Sequence, residues 1–134
     1  MLLPHGAVIA VVDGQNLELY SNAGDEAAPE LAALDPPILD VSNHSGGSHH
    51  SRPGNHADSQ VSEDAHAHAA ATWLNGQVLS HKLTDLVVIA PPRTLGELRK
   101  HYHKLTERAL IKELHKDLIG KQPRDIVEAL REKV

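Results

Sequence analysis

Two runs of the chain are apolar at every position, Ala7 to Val12 and Leu86 to Ala90, and both are rich in β-branched residues. A strand that is apolar on both faces needs cover on both sides. The two runs are therefore expected to be neighbouring buried strands of one mixed sheet. The first is followed by Asp13-Gly14-Gln15-Asn16 and then by Leu17 to Tyr20. Asp-Gly between two strand-like runs predicts a hairpin whose central residues tolerate positive φ. The Ala- and Pro-rich stretch from Ala23 to Pro37 reads as a connection with a short helical turn at Glu30 to Leu34. Ile38 to Val41 then supplies a third strand.

Helical periodicity appears next. Ser62 suits an N-cap, with Glu63 and Asp64 in the first turn where the helix dipole favours negative charge. Ala67, Ala70, Ala71, Leu74 and Val78 recur at three- and four-residue steps, so they form one buried stripe of a helix expected to end by Leu83. Pro91 and Pro92 stop the second apolar run. Thr94 and Glu97 then have capping-box spacing, in which hydroxyl and carboxylate satisfy each other's free backbone N–H groups. Leu95, Leu98, Tyr102 and Leu105 make the inward stripe of the helix that follows, leaving Arg99, Lys100, His103 and Lys104 outside. Arg108 to Leu118 fits a helix through Leu110, Leu114 and Leu118, and equally fits a strand. Gly120 ends that element, and Pro123 opens a last helix with Ile126, Val127, Leu130 and Val134 as its stripe.

Ser42 to Gln60 has a different character, built of Ser, Gly, His, Asn and Asp without a single Leu or Val. Having almost nothing to bury, it is expected to be a mobile loop within one domain spanning residues 1–134. The length of 134 residues suits one core and not two. With no Phe, one Trp and two Tyr, that core must be aliphatic. The absence of cysteine excludes disulfides and thiolate metal sites, and fits a reducing compartment. The first residues lack the basic-then-apolar order of a secretory leader. No apolar run approaches the roughly 18 residues of a membrane span, so a cytoplasmic protein is expected.

The net charge of −5 is unevenly spread. Residues 1–81 hold one basic side chain, Arg52, against ten acids, whereas residues 82–134 hold twelve against eight. Either the basic residues are the solvated faces of C-terminal helices or they form a patch that meets a polyanion. The second reading selects Arg93, Arg99, Lys100, Lys104 and Lys112 as a nucleic-acid contact. Three aromatic residues are too few for base stacking, so any contact would be to phosphates.

Catalytic constellations are scarce. A two-metal nuclease needs converging carboxylates. Asp13, Asp40 and Asp85 are the available set, with Asp13 better explained by the hairpin and Asp85 by the entry to a strand. Ser45, Ser48 and Ser51 have no nucleophile elbow around them. The eleven histidines offer imidazoles, and His49 and His50 in the loop are the candidates for Zn²⁺ or another divalent metal. Compositional drift is the favoured explanation of such a loop. His66 and His68, two apart on a helix, do not share a face.

The run Ala90-Pro91-Pro92-Arg93-Thr94-Leu95-Gly96-Glu97-Leu98-Arg99-Lys100, followed by Lys112-Glu113-Leu114-His115-Lys116-Asp117-Leu118, resembles the bacterial host attachment protein family. Val12-Asp13-Gly14 is similar to that family's Ala-Asp-Gly hairpin. The resemblance implies the architecture of the middle domain of eukaryotic-type peptide release factors. That is a ribonuclease H-like α/β fold with a mixed five-stranded sheet, an opening hairpin and three main helices, and it favours a strand within Arg108 to Leu118. In release factors a Gly-Gly-Gln tip lies just ahead of the first long helix. Here the equivalent loop has Gly46-Gly47-Ser48. The missing Gln argues against peptidyl-tRNA hydrolysis. The expected function is a non-catalytic domain engaging RNA or the ribosome through its basic half, with a small metal-binding or protein-interaction module as the alternative.

Overall fold

The structure, a computed structural model, describes residues 3–40 and 56–131, with side chains from residue 60 onward in the second segment. Its elements run β1 (Val8–Val12), β2 (Leu17–Asn22), β3 (Leu31–Leu34), α1 (His56–Leu79), β4 (Leu86–Ile89), α2 (Pro92–Arg99), α3 (Lys104–Ala109), β5 (Leu110–Leu114) and α4 (Pro123–Arg131). The sheet has the order β3-β2-β1-β4-β5. β1 pairs antiparallel with β2 and parallel with β4, which is parallel in turn to β5. The two all-apolar runs are thus adjacent, Val8 opposite Leu86 and Val11 opposite Ile89.

Both faces of that central pair are covered. Ala10, Val12, Leu86 and Val88 pack beneath α1, α2 and α3, together with Ala67, Ala70, Ala71, Leu74, Leu95 and Leu98. Ile9, Val11, Val87 and Ile89 face the other way, against Ile126, Ala129 and Leu130 of α4. At about 1.5–3 kcal/mol for each large aliphatic side chain withdrawn from water, these two aliphatic layers dominate the fold's stabilisation. The alanines of α1 carry little side-chain bulk, which lets the helix lie close to the sheet.

Several elements differ from the sequence expectation, each for a local reason. The third strand is Leu31–Leu34 and not Ile38–Val41. Leu31 to Leu34 continues the meander in register with Asn22 to Leu19, whereas Ile38 is fully exposed after the Asp35-Pro36-Pro37 break and Val41 lies outside the described residues. The hairpin turn uses no positive φ at Asp13 or Gly14. It is closed instead by the Asp13 carboxylate, whose Oδ1 accepts from the N–H groups of Gln15 (2.8 Å) and Asn16 (2.6 Å). α1 begins at His56, so residues 56–60 of the expected loop are helical; residues 41–55 lie outside the described residues. It ends at Leu79, where His81 takes φ 61°. The His81 N–H donates to the Val78 carbonyl and the Lys82 N–H to that of Gln77, the bonding pattern of a Schellman end.

Thr94 does not cap α2. Pro91 occupies the N-cap position without a side-chain bond, and Pro92 opens the helix at a position where no N–H is needed. The expected long second helix is broken in two after Arg99. Asn75 of α1 takes hold of the intervening chain, its Nδ2 donating to the His101 carbonyl at 2.8 Å and its Oδ1 accepting from the His103 N–H at 2.9 Å and the Thr106 hydroxyl at 2.6 Å. Leu105 is consequently exposed on α3. Arg108 to Leu118 resolves as the end of α3, then β5, then irregular chain. In α4 the inward positions are Ile126, Ala129 and Leu130, with Val127 half-buried at the margin.

Candidate functional site

In an open α/β sheet, ligand-bearing loops gather where parallel strands end. β1, β4 and β5 are parallel, so Asp13, Pro91 and His115 follow them at one end of the sheet. The first half of α1 lies over that end. The His66 Nδ1–H donates to the Asp13 carbonyl at 3.0 Å, and a Cβ placed on Gly14 would come within 2.6 Å of the Glu63 side chain. His66 is buried, and desolvation holds its imidazole below its ordinary pKa, only partly offset by Asp13. It is a neutral donor in a packed contact.

The nuclease carboxylates are not brought together. Asp13 lies past the end of β1. Asp85 precedes β4 at the opposite end, where its carbonyl accepts from the Val8 N–H at 2.9 Å. Asp40 is exposed beyond β3. Among the described residues no group of three or more His, Asp or Glu side chains is placed to hold a metal ion. His49 and His50, and Gly46, Gly47 and Ser48 with them, lie outside the described residues.

The five basic residues divide between the two faces of the sheet. Arg93 at the start of α2 meets Asp64 of α1 at 3.3 Å, Arg99 meets Glu113 of β5 at 3.0 Å, and Lys100 meets Glu97 at 2.6 Å. The Lys100 ammonium holds the Glu97 carboxyl below its usual pKa. Lys104, on α3 in the same helical layer, is exposed. Lys112 goes the other way, its Nζ donating to the Leu130 carbonyl of α4 at 3.3 Å. Four cations therefore share a layer and the fifth caps a helix behind the sheet. In each of the three ion pairs the cation is the more exposed partner: side-chain exposures are 53% against 36%, 57% against 23% and 66% against 16%.

The order of elements, the mixed sheet and the long helix α1 after the third strand are those expected of a release-factor middle domain. Residues 6–130 match the model of bacterial archaeo-eukaryotic release factor family 12. The chain belongs to this family. The match bears out the release-factor side of the sequence resemblance and does not carry the host attachment name. No curated protein matches this family-12 chain significantly. Among the described residues, no helix is long and apolar enough to cross a membrane.

Three side chains of this family-12 domain are prominent in the structure in ways that sequence reasoning did not give. Asn75 bridges helices, as described above. Asn22, at the end of β2, is almost wholly buried and ties down two loops. Tyr102 was assigned to a core stripe, yet its hydroxyl is buried without a hydrogen-bond partner among the described residues. A single Asn has no periodicity, and the stripe that includes Tyr102 says nothing of its hydroxyl, so no pattern could have singled out these contacts.

Proposed function

We propose that this release-factor-family domain acts in translation as a non-catalytic module that associates with RNA or the ribosome through the outer surface of α2 and α3. The observation that carries the reading is the arrangement of the ion pairs. Each carboxylate lies inward and each cation outward, so Arg93, Arg99 and Lys100, with Lys104 beside them, present positive charge to an approaching phosphate chain despite their pairing. Lys112 supports this surface only from behind. The Ser at position 48, where release factors have Gln, supports a role without peptidyl-tRNA hydrolysis. The likeness to host attachment proteins enters this reading as shared architecture and adds no separate role.

Titration of labelled single-stranded RNA over a range of salt tests it. Affinity should fall steeply with salt and be indifferent to base sequence. Changing Lys100 and Lys104 together to Ala should lower the log–log salt slope by about 1.4, at roughly 0.7 per lost phosphate contact on a single strand. Binding that ignores both salt and the double change would leave these cations as ordinary solvated surface.

A further inference from the structure

The junction between α2 and α3 is held in place by α1 at several points. Asn75 fixes its main chain, donating to the His101 carbonyl at 2.8 Å and accepting from the His103 N–H at 2.9 Å. The His101 imidazole lies flat on that of His68, with ring centroids 3.7 Å apart and planes 11° from parallel. α1 therefore grips both the backbone of the junction and one of its rings.

His103 is the ring of this junction that reaches the surface. It is exposed, and its Nδ1 accepts from the Leu105 N–H at 3.0 Å. A backbone N–H can only donate, so Nδ1 carries no proton and the imidazole is the neutral Nε2–H form. The same bond holds the ring in one orientation. A ring already held loses little freedom when another molecule stacks on it. Leu105 is also exposed, although apolar, and exposed Lys100 and Lys104 flank His103 in the chain. Glu97 lies inward beneath Lys100, while Lys104 and Arg108 outnumber Glu107 on α3.

We propose that the His103 imidazole is a stacking platform for one unpaired base of an RNA strand whose phosphates lie on Lys100 and Lys104. The inference rests on the phosphate-facing surface proposed above and narrows its ligand to single-stranded RNA, because a paired base keeps its faces within the duplex. The scarcity of Phe, Trp and Tyr does not weigh against it, since imidazoles stack on bases as those rings do. Every base has a π-face, so the contact keeps the expected indifference to base sequence.

Two strands of equal length and charge separate the two kinds of contact: an oligoadenylate, and an abasic strand with the same ribose-phosphate chain and no bases. With the full, isotope-labelled chain at about pH 8, where imidazoles are neutral, the oligoadenylate should bind about tenfold more tightly, within the range for one stacked base. It alone should move the His103 ring resonances. His103→Asn keeps a good N-cap and removes the ring, so α3 should persist, which the amide spectrum reports. That variant should bind the two strands equally, with the salt slope of each unchanged. Lys100 and Lys104 changed together to Ala should weaken both strands alike and preserve their ratio. Equal binding of the two strands by the parent overturns the platform and leaves the phosphate surface standing, as does a difference that survives His103→Asn. If neither strand binds, both readings fall.

Discussion

The two ends of the sheet are held together by different chemistry. At the end where β1 and β4 begin, neutral amides do most of the holding, beside one exposed imidazole, that of His5, whose Nδ1–H donates to the Gly24 carbonyl at 2.8 Å. Asn22 donates through Nδ2 to the carbonyls of Leu3, Pro4 and Asp25, and accepts through Oδ1 from the N–H groups of Gly24 and Glu30, all between 2.9 and 3.3 Å. Gly24 completes that clamp, since a Cβ there would lie 2.6 Å from the Ala28 carbonyl oxygen. Asn75 holds the α2–α3 junction at the same end. Where β1 and β4 finish, the contacts are an imidazole on the Asp13 carbonyl and a half-exposed ion pair between Arg93 and Asp64. A neutral amide saturated by backbone partners is indifferent to pH and salt, whereas imidazoles and ion pairs respond to both. The end that carries the first half of α1 and the first of the outward cations is therefore the adjustable one.

The sharpest way to break this comparison is at Asn22. Asn22→Ala strands two N–H donors and removes the side-chain donor from three carbonyls, of which that of Pro4 still accepts from the Ala7 N–H, at a site that is 1% exposed. It should cost about 3 kcal/mol of unfolding free energy in a denaturant titration, equally at low and high salt. Asn75→Ala should cost about 2 kcal/mol, because its half-buried site lets water replace part of what is lost. Rapid amide exchange at His103 in that variant, with β1 still protected, would show that the junction has come loose by itself.

The opposite end should answer to pH. The folded state holds the His66 pKa below the ordinary 6.5, so the unfolded chain binds the proton more readily. The stabilisation is complete above pH 6.5 and is lost as pH falls through that value towards the folded pKa. A single such group contributes a slope of at most about 1.4 kcal/mol per pH unit. His66→Gln should flatten the stability profile between pH 7 and 5. An unchanged profile would remove His66 as its cause. The smallest expected effect is that of Arg93→Ala, below about 0.5 kcal/mol and shrinking as salt is added. A larger loss, comparable with that at Asn75, would erase the distinction between the two ends.

Some of this molecule was legible in the residues alone. Ala7 to Val12 and Leu86 to Ala90 announce a doubly covered strand pair because complete burial leaves no polar position to interrupt either run. Ala67, Ala70, Ala71, Leu74 and Val78 announce a helix face because one side must meet the core. These elements state their own environment, and local periodicity is enough to read it. What remained depends on groups far apart in the chain. The third strand settles at Leu31–Leu34 because Leu19 to Asn22 lies alongside to pair with it, and α2 stops after Arg99 because Asn75 supplies bonds to the chain beyond. The candidate site divides in the same way. The count of basic residues in the second half is a property of the sequence. Which of them face outward, and that Lys112 turns to the α4 side of the sheet, was decided by strand alternation and by the carboxylates that folding placed against Arg93, Arg99 and Lys100.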